Sequence, residues 1–251
     1  DILFENNNLL VINKPSGLVV HGDGKTQEPT VVDWVLDHHP DIEGVGEDMV
    51  YEHKGKEVHI KRPGIVHRID RDTSGCLVIA KNQKSFEYLK QQFKDRKIVK
   101  IYQALVYGLV SQDQGIIDVP IGKSKKDFRM KMAGVHARGQ LRDAYTEYKV
   151  LERYEDVSKL DKQKQTYKYT LVELSPKTGR THQLRVHMKY LNHPMISDSL
   201  YRGKRDRELG LERTALHAYS IFLTDHEGEE ISVKADLPLD ISEALKKISR
   251  I

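Results

Sequence analysis

Cysteine is almost missing: Cys76 is the single one in 251 residues. That scarcity excludes an internal disulfide and every cysteine-rich zinc site. At the head of an apolar run, Cys76 reads as a small hydrophobe. No apolar stretch approaches the roughly 18 residues of a membrane span, and the opening residues lack the pattern of a secretory leader. Internal repeats and low-complexity linkers are absent too. Nor is charge of one sign in large excess: 41 Lys and Arg face 37 Asp and Glu, a net +4. Such a surplus does not argue for nucleic acid unless it is concentrated somewhere. These absences leave the expectation of a cytoplasmic monomer with no membrane partner. The chain opens on Asp1 without a methionine, which leaves room for a preceding segment.

What is present reads as strands with helices set singly among them. Residues 2–4 and 9–12 are expected as short strands, followed by the turn Lys14-Pro15-Ser16-Gly17. Residues 31–36 are expected as a helix capped by Thr30 and closed before Pro40, and a hairpin is expected about Gly55. Residues 77–80 read as a buried strand. Residues 85–97 read as an amphipathic helix with Phe86, Leu89 and Phe93 on one stripe, and 99–106 as a strand. Residues 145–151 and 167–174 alternate at period two, with a polar loop expected between them. A helix over 181–191, a hairpin of 216–223 with 231–235 around Gly228, and a helix over 240–248 complete the chain. No regular βαβα rhythm runs through it. The expected class is α+β with a largely antiparallel sheet, one catalytic domain over residues 1–251.

Two apparent motifs fail on spacing. Gly22 to Thr26 looks like the end of a phosphate loop, but the pattern needs a glycine where Val19 stands, and Pro29 follows instead of a helix. His182 and His187 lie about 140° apart on a helix, so with His193 they make a poor ligand set; no metal is expected. The stretch from Lys61 to Asn82 is different. It packs His67, Arg68, Asp70, Thr73, Ser74 and Gly75, poor core builders, against the apolar run from Cys76 to Ala80, the place where loops carry chemistry. Asp70 alone has an ordinary reading as a turn residue. Its company shifts the balance: Arg68 two residues before it, and a second arginine pair at Arg180 and Arg185. Arg185 lies about 100° around from Leu184, at the edge of a buried face, where it can meet a partly buried carboxylate. Residues 122–143 concentrate seven basic side chains against two acidic ones, with Phe128 among them, and a second basic patch covers 201–213.

Four blocks, in order along the chain, resemble RNA pseudouridine synthases of the RluA type. HRIDRDTSG (His67 to Gly75) is similar to the family signature and NKPSGLVVH (Asn13 to His21) to its N-terminal motif. VKIYQALVYG (Val99 to Gly108) looks like its tyrosine strand. TGRTHQLRVHM (Thr178 to Met188), followed by HPMISDSLY, resembles its arginine block. The resemblance spans roughly residues 2–238. Ile69 stands where leucine is more usual, a change that keeps the bulk.

That resemblance implies the pseudouridine synthase fold, a bent, mainly antiparallel sheet flanked by helices and loops, with the active site in a central cleft. It implies isomerisation of uridine in RNA: the glycosidic bond breaks, the uracil turns, and C5 is joined to the ribose. No cofactor is expected, because nothing is oxidised and no group leaves for good. Asp70 is implied as the catalytic carboxylate, attacking sugar or base, a choice the sequence leaves open; a carboxylate suits an oxocarbenium-like sugar. Arg185 is implied as its cation, since a neighbouring arginine favours the charged carboxylate. Tyr102 matches the tyrosine that stacks on the target base, worth roughly 1–3 kcal/mol, with its hydroxyl available for the C5 proton. The target nucleotide is expected to be flipped out, with Arg68 filling the gap.

His67, Thr73, Arg180, His182, Lys125, Lys126, Arg129 and Lys131 are the further RNA contacts expected. The stretches 122–143 and 202–213 are expected as loops gripping the RNA backbone, their hold weakening with salt. Large-subunit ribosomal RNA is the expected substrate and transfer RNA the alternative. An RNA-binding module without chemistry and a nucleoside hydrolase that releases uracil are the other readings kept. A small RNA-binding domain often precedes the catalytic one in the family, and the chain is expected to begin beyond it.

Overall fold

The structure, a computed structural model, describes residues 1–24, 27–53, 55–125, 127–160, 166–205 and 208–251. In chain order the first elements are β1 (Ile2–Glu5), β2 (Leu9–Lys14), α1 (Val31–His38), β3 (Met49–His53), β4 (Lys56–Ile60), β5 (Ser74–Ala80) and α2 (Gln83–Lys94). Then come β6 (Val99–Tyr107), β7 (Gln114–Asp118), β8 (Ile121–Lys123), β9 (Lys131–Ala133), β10 (Arg138–Arg142), β11 (Tyr145–Leu160) and β12 (Thr166–Pro176). The last are α3 (Gln183–Tyr190), β13 (Leu216–Thr224), β14 (Glu230–Lys234), α4 (Leu239–Lys246) and β15 (Ser249–Arg250). Contacts gather the chain into two compact units. The first is Asp1–Val99 with Ala218–Asp236, the second Lys100–His217 with Leu237–Ile251.

In the first unit the strand order is β1-β2-β5-β13, with β14 on β13. β2 and β5 are almost unbroken apolar runs because both their faces are covered. Leu9, Val11, Cys76, Val78 and Ala80 pack on one side with Phe86 and Leu89 of α2, while Leu10, Leu77 and Ile79 on the alternate side are equally enclosed. The β2–β5 register is antiparallel, from Leu9 opposite Ala80 to Lys14 opposite Gly75. The chain leaving β2 and the chain entering β5 therefore emerge at the same end of the sheet. α1 starts at a capping box between Thr30 and Asp33, and Asn82 caps α2 by accepting the Ser85 N–H. β3 and β4 pair in the expected hairpin about Gly55.

Ser74 and Gly75, ahead of the expected strand of 77–80, already belong to β5. Gly75 holds φ at +108°, and a Cβ there would lie 2.2 Å from the Ala218 carbonyl oxygen. The glycine serves a close approach of backbones.

The second unit has the order β6-β12-β11-β15, with β7 also on β11. β11 and β12 pair antiparallel from Thr146 opposite Pro176 to Leu160 opposite Thr166, with register shifts between Val150 and Glu152 and between Asp156 and Leu160. β11 thus continues through most of the stretch expected as a polar loop; residues 161–165 lie outside the described residues. Cross-strand pairing decides the matter, for Tyr154 faces the fully enclosed Tyr169. The basic stretch 122–143 differs from expectation as well. It is mostly a small sheet in the order β10-β8-β9, whose Ile121 and Ala133 bury against Val186 and Tyr201.

α3 starts later than expected, at Gln183, because His182 takes the left-handed φ of +58°. It is enclosed nearly all round: Leu184 and Met188 join Ala104, Val106 and Val172 in one core, while Arg185 and His187 are also buried.

Candidate active site

Asp70 opens a four-residue turn whose Thr73 N–H returns to the Asp70 carbonyl at 3.1 Å. Strand register brings the loop after β2 against this turn, and the two are laced together. Gly17 N–H donates to the Arg71 carbonyl at 3.0 Å, and Ser16 Oγ donates to the Asp72 carbonyl at 3.0 Å. Lys14, fully enclosed, donates from Nζ to the carbonyls of Pro15 at 2.7 Å, Leu18 at 2.8 Å and Arg71 at 2.9 Å. A buried ammonium is costly unless its three N–H groups are met; here it is the tie between two loops. Ile69, 6% exposed, anchors the residue before Asp70 in the core. The Asp70 side chain is half-buried, on a backbone with little freedom.

Beside it Arg68 is exposed, its Nη1 3.4 Å from His21 Nε2. His21 Nδ1 faces the Gly22 carbonyl at 2.9 Å, so Nδ1 carries the proton and Nε2 is left to accept. Burial, then the charges of Arg68 and Arg62, pull the His21 pKa below its ordinary value. His67 and Thr73 have structural tasks in the fold. His67 Nε2 accepts the Val78 N–H at 2.9 Å and its ring stacks on Phe93. Thr73 is 2% exposed and closes the turn.

In the second unit Arg185 is held in a fixed plane. Nε and Nη2 donate to the two oxygens of Asp198 at 2.7 and 2.8 Å, a bidentate, charge-assisted pair. The guanidinium also lies 5.0 Å from the centre of the Tyr201 ring. Asp198 Oδ1 accepts the N–H groups of Leu200 and Tyr201 as well. The Tyr201 hydroxyl meets His182 Nδ1 at 2.9 Å and accepts the Lys131 N–H at 2.8 Å. The carboxylate that Arg185 meets here is the buried Asp198. Tyr102 stands on β6 opposite Leu174, on the strand face it shares with Ala104 and Val106.

Other expected contacts are partly committed within the fold. Arg180 gives Nε to the Asp143 carbonyl at 2.9 Å, and Arg129 is clasped by Asp127 through Nε and Nη2. Lys125 is exposed; Lys126 lies outside the described residues. In the second basic patch, Arg213 is a clamp within the fold. It is paired with Asp240 at 2.6 and 2.9 Å, and it donates to the carbonyls of Thr214 and Leu216. The three histidines go separate ways: His187 sits between Thr146 Oγ1 and the Val119 carbonyl, and His193 meets the Tyr107 carbonyl.

Comparison with known proteins decides what these loops belong to. Residues 8–190 match the family model described as RNA pseudouridylate synthase. The chain belongs to the RNA pseudouridine synthase family. Among its relatives is the uncharacterized RNA pseudouridine synthase YlyB of Bacillus subtilis, 39% identical, with 100% of this chain and 73% of that protein covered. Ribosomal large subunit pseudouridine synthase D of Neisseria meningitidis serogroup B is 37% identical over 96% of this chain and 59% of its own length. Human RNA pseudouridylate synthase domain containing 4 has the same fold, with a TM-score of 0.71 at 26% identity over 99% of this chain and 93% of that one.

As a pseudouridine synthase the chain is an isomerase acting on uridine in RNA, and the α+β class with antiparallel strands agrees with its solved relative. No helix among the described residues is long and apolar enough to cross a membrane. Lys14, Ser16, His21, Asp198 and Tyr201 are the residues that sequence reasoning passed over. All five stand inside the quoted blocks, and Lys14 carried a signal: a charge at the end of a strand otherwise built to be enclosed.

Proposed function

We propose that this pseudouridine synthase isomerises one or more uridines of large-subunit ribosomal RNA, with Asp70 as its catalytic carboxylate. The observation that carries the reading is the Asp70 turn: two loops, a buried ammonium and a hydroxyl fix the backbone of a half-buried acid. Such preorganisation is what a nucleophile or charge stabiliser needs. Asp70 acts on the flipped uridine while the C1′–N1 bond breaks; the uracil turns, C5 bonds to C1′, the C5 proton leaves and N1 gains one. Tyr102 offers its ring to the uracil and its hydroxyl to the C5 proton. Arg185, held planar by Asp198 and Tyr201, supplies fixed positive charge, and Arg68 takes the place of the extruded base.

The ribosomal substrate is supported by relatives named ribosomal large subunit pseudouridine synthase D. We place the enzyme in the cytoplasm as a monomer; a chain with one cysteine, the buried Cys76, and hence no internal disulfide suits a reducing compartment. The deciding experiment maps pseudouridine in ribosomal and transfer RNA from cells lacking the gene. A site lost from large-subunit ribosomal RNA and restored by this chain supports the proposal. A loss confined to transfer RNA transfers the assignment there, and free uracil in the reaction marks a hydrolase.

A further inference from the structure

Phe128 is 89% exposed, the most open of the large apolar side chains described. A lone exposed hydrophobe needs no explanation, but this one sits on a constructed support. It follows Asp127 in a turn closed by Met130 N–H on the Asp127 carbonyl at 3.1 Å and by Ser124 N–H on the Met130 carbonyl at 3.1 Å. Asp127 N–H donates to Ser124 Oγ, and the Asp127 carboxylate takes the Arg129 backbone N–H at 2.9 Å along with its guanidinium. Below the turn, β9 is fastened by the bond from Lys131 N–H to Tyr201, the ring that lies against Arg185. The tip is thus tied to the same framework that fixes Arg185.

We propose that Phe128 is a stacking platform for an unpaired base of the substrate RNA, outside the uridine that reacts. This rests on the RNA substrate of the family and adds a contact that selects substrates by the presence of a single-stranded base. The surroundings choose the occupant. Lys125 and Arg129 are exposed on the same turn and Lys131 is half-exposed at its foot, so what covers the ring carries negative charge and presents a flat apolar face. An unpaired nucleotide does both: phosphate to the cations, base to the ring. A paired base offers no free face. Arg129, already clasped by Asp127, contributes less charge than a free arginine, which leaves the ring the larger share of selectivity.

The test measures binding of the full chain to a labelled single-stranded RNA of about twelve nucleotides and to the duplex of the same sequence, for wild type, Phe128→Ala, Phe128→Leu and Phe128→Trp. Phe128→Ala is expected to weaken single-strand binding about 5- to 150-fold, the range of one lost base stack. Duplex binding and the salt slope stay unchanged, because no cation is removed. Phe128→Trp restores affinity; Phe128→Leu, apolar without a π face, does not. On ribosomal RNA the same loss falls on KM and leaves kcat within about twofold. Equal affinity of Phe128→Ala and wild type for the single strand overturns the proposal, as does an equal loss on both RNAs or full rescue by leucine. It is also overturned if Phe128→Ala abolishes self-association, or binding to phosphatidylserine vesicles, while RNA binding holds. If wild type binds RNA through Phe128 but forms no pseudouridine, the tip stands and the catalytic reading falls.

Discussion

Lys14→Met removes the ammonium at the junction of the two loops and keeps most of the stem. Of its three acceptors, the Arg71 carbonyl retains the Gly17 N–H, while the Pro15 and Leu18 carbonyls lose the donors at 2.7 and 2.8 Å. Both acceptors are only part-buried, with Pro15 exposed, so water recovers part of the roughly 1–3 kcal/mol that a fully buried unmet acceptor costs; the recovered desolvation of the ammonium offsets more. A net loss of about 1–2 kcal/mol is expected, lowering Tm by about 2–8 °C for a chain of this length. The functional effect should exceed the structural one. The Asp70 turn loses one of its ties, and a misplacement of about 1 Å at the reacting group costs on the order of a hundredfold in rate. Urea unfolding gives the stability, and single-turnover pseudouridine formation, well below the unfolding temperature, gives the rate. Ser16→Ala, which unties only the Asp72 carbonyl, should show a smaller loss of the same kind. A Lys14→Met enzyme that loses stability but retains wild-type turnover would refute the idea that this lysine positions the turn.

Arg185→Lys replaces a planar fork with a point charge, so Asp198 keeps a cation but the fixed guanidinium plane is lost. Single-turnover rates should fall about 10- to 100-fold, with a Tm change of only a few degrees and RNA affinity nearly unchanged in a filter assay. A second expectation concerns pH. His187 donates from Nε2 to the Val119 carbonyl and accepts at Nδ1 from Thr146 Oγ1, and burial holds its pKa below the ordinary 6.5. Below about pH 6.5 the unfolded chain takes up a proton that the folded chain resists. This contribution to stability is therefore complete above that pH and declines as pH falls toward the folded pKa. Urea midpoints across pH 5 to 8, with the His187 ring followed by NMR, check it; a ring that titrates at or above the ordinary histidine value contradicts it.

Most of the elements were legible because they follow from periodicity and capping. The apolar runs of β2 and β5, the Thr30 cap and the hairpins at Gly55 and Gly228 all stand where the residues put them. The errors share a cause. β11 continues through Glu152, Arg153, Glu155 and Asp156, where hydrophobic alternation fades, because strand pairing is made by backbone and by single inward residues such as Tyr154. The basic stretch is a sheet for the same reason: two inward residues, Ile121 and Ala133, suffice against Tyr201 and Val186. For the site, local sequence singled out Asp70 and Arg185 as candidates by their company, but not what holds them. Lys14 lies 57 residues from the Arg71 backbone that it fixes, Ser16 lies 56 from Asp72, and Asp198 lies 13 from Arg185. Only the fold brings such partners together. Thr73 and His67 show the converse: polar residues beside a catalytic candidate turn out to build its support.

The most direct measurement is turnover by Asp70→Asn, which keeps the shape of the side chain and removes its charge. With unmodified large-subunit ribosomal RNA, the variant should form no detectable pseudouridine while its RNA affinity and Tm stay within a few-fold and a few degrees of wild type. An Asp70→Asn enzyme that converts its uridine at the wild-type rate would show that the reaction runs through some other group.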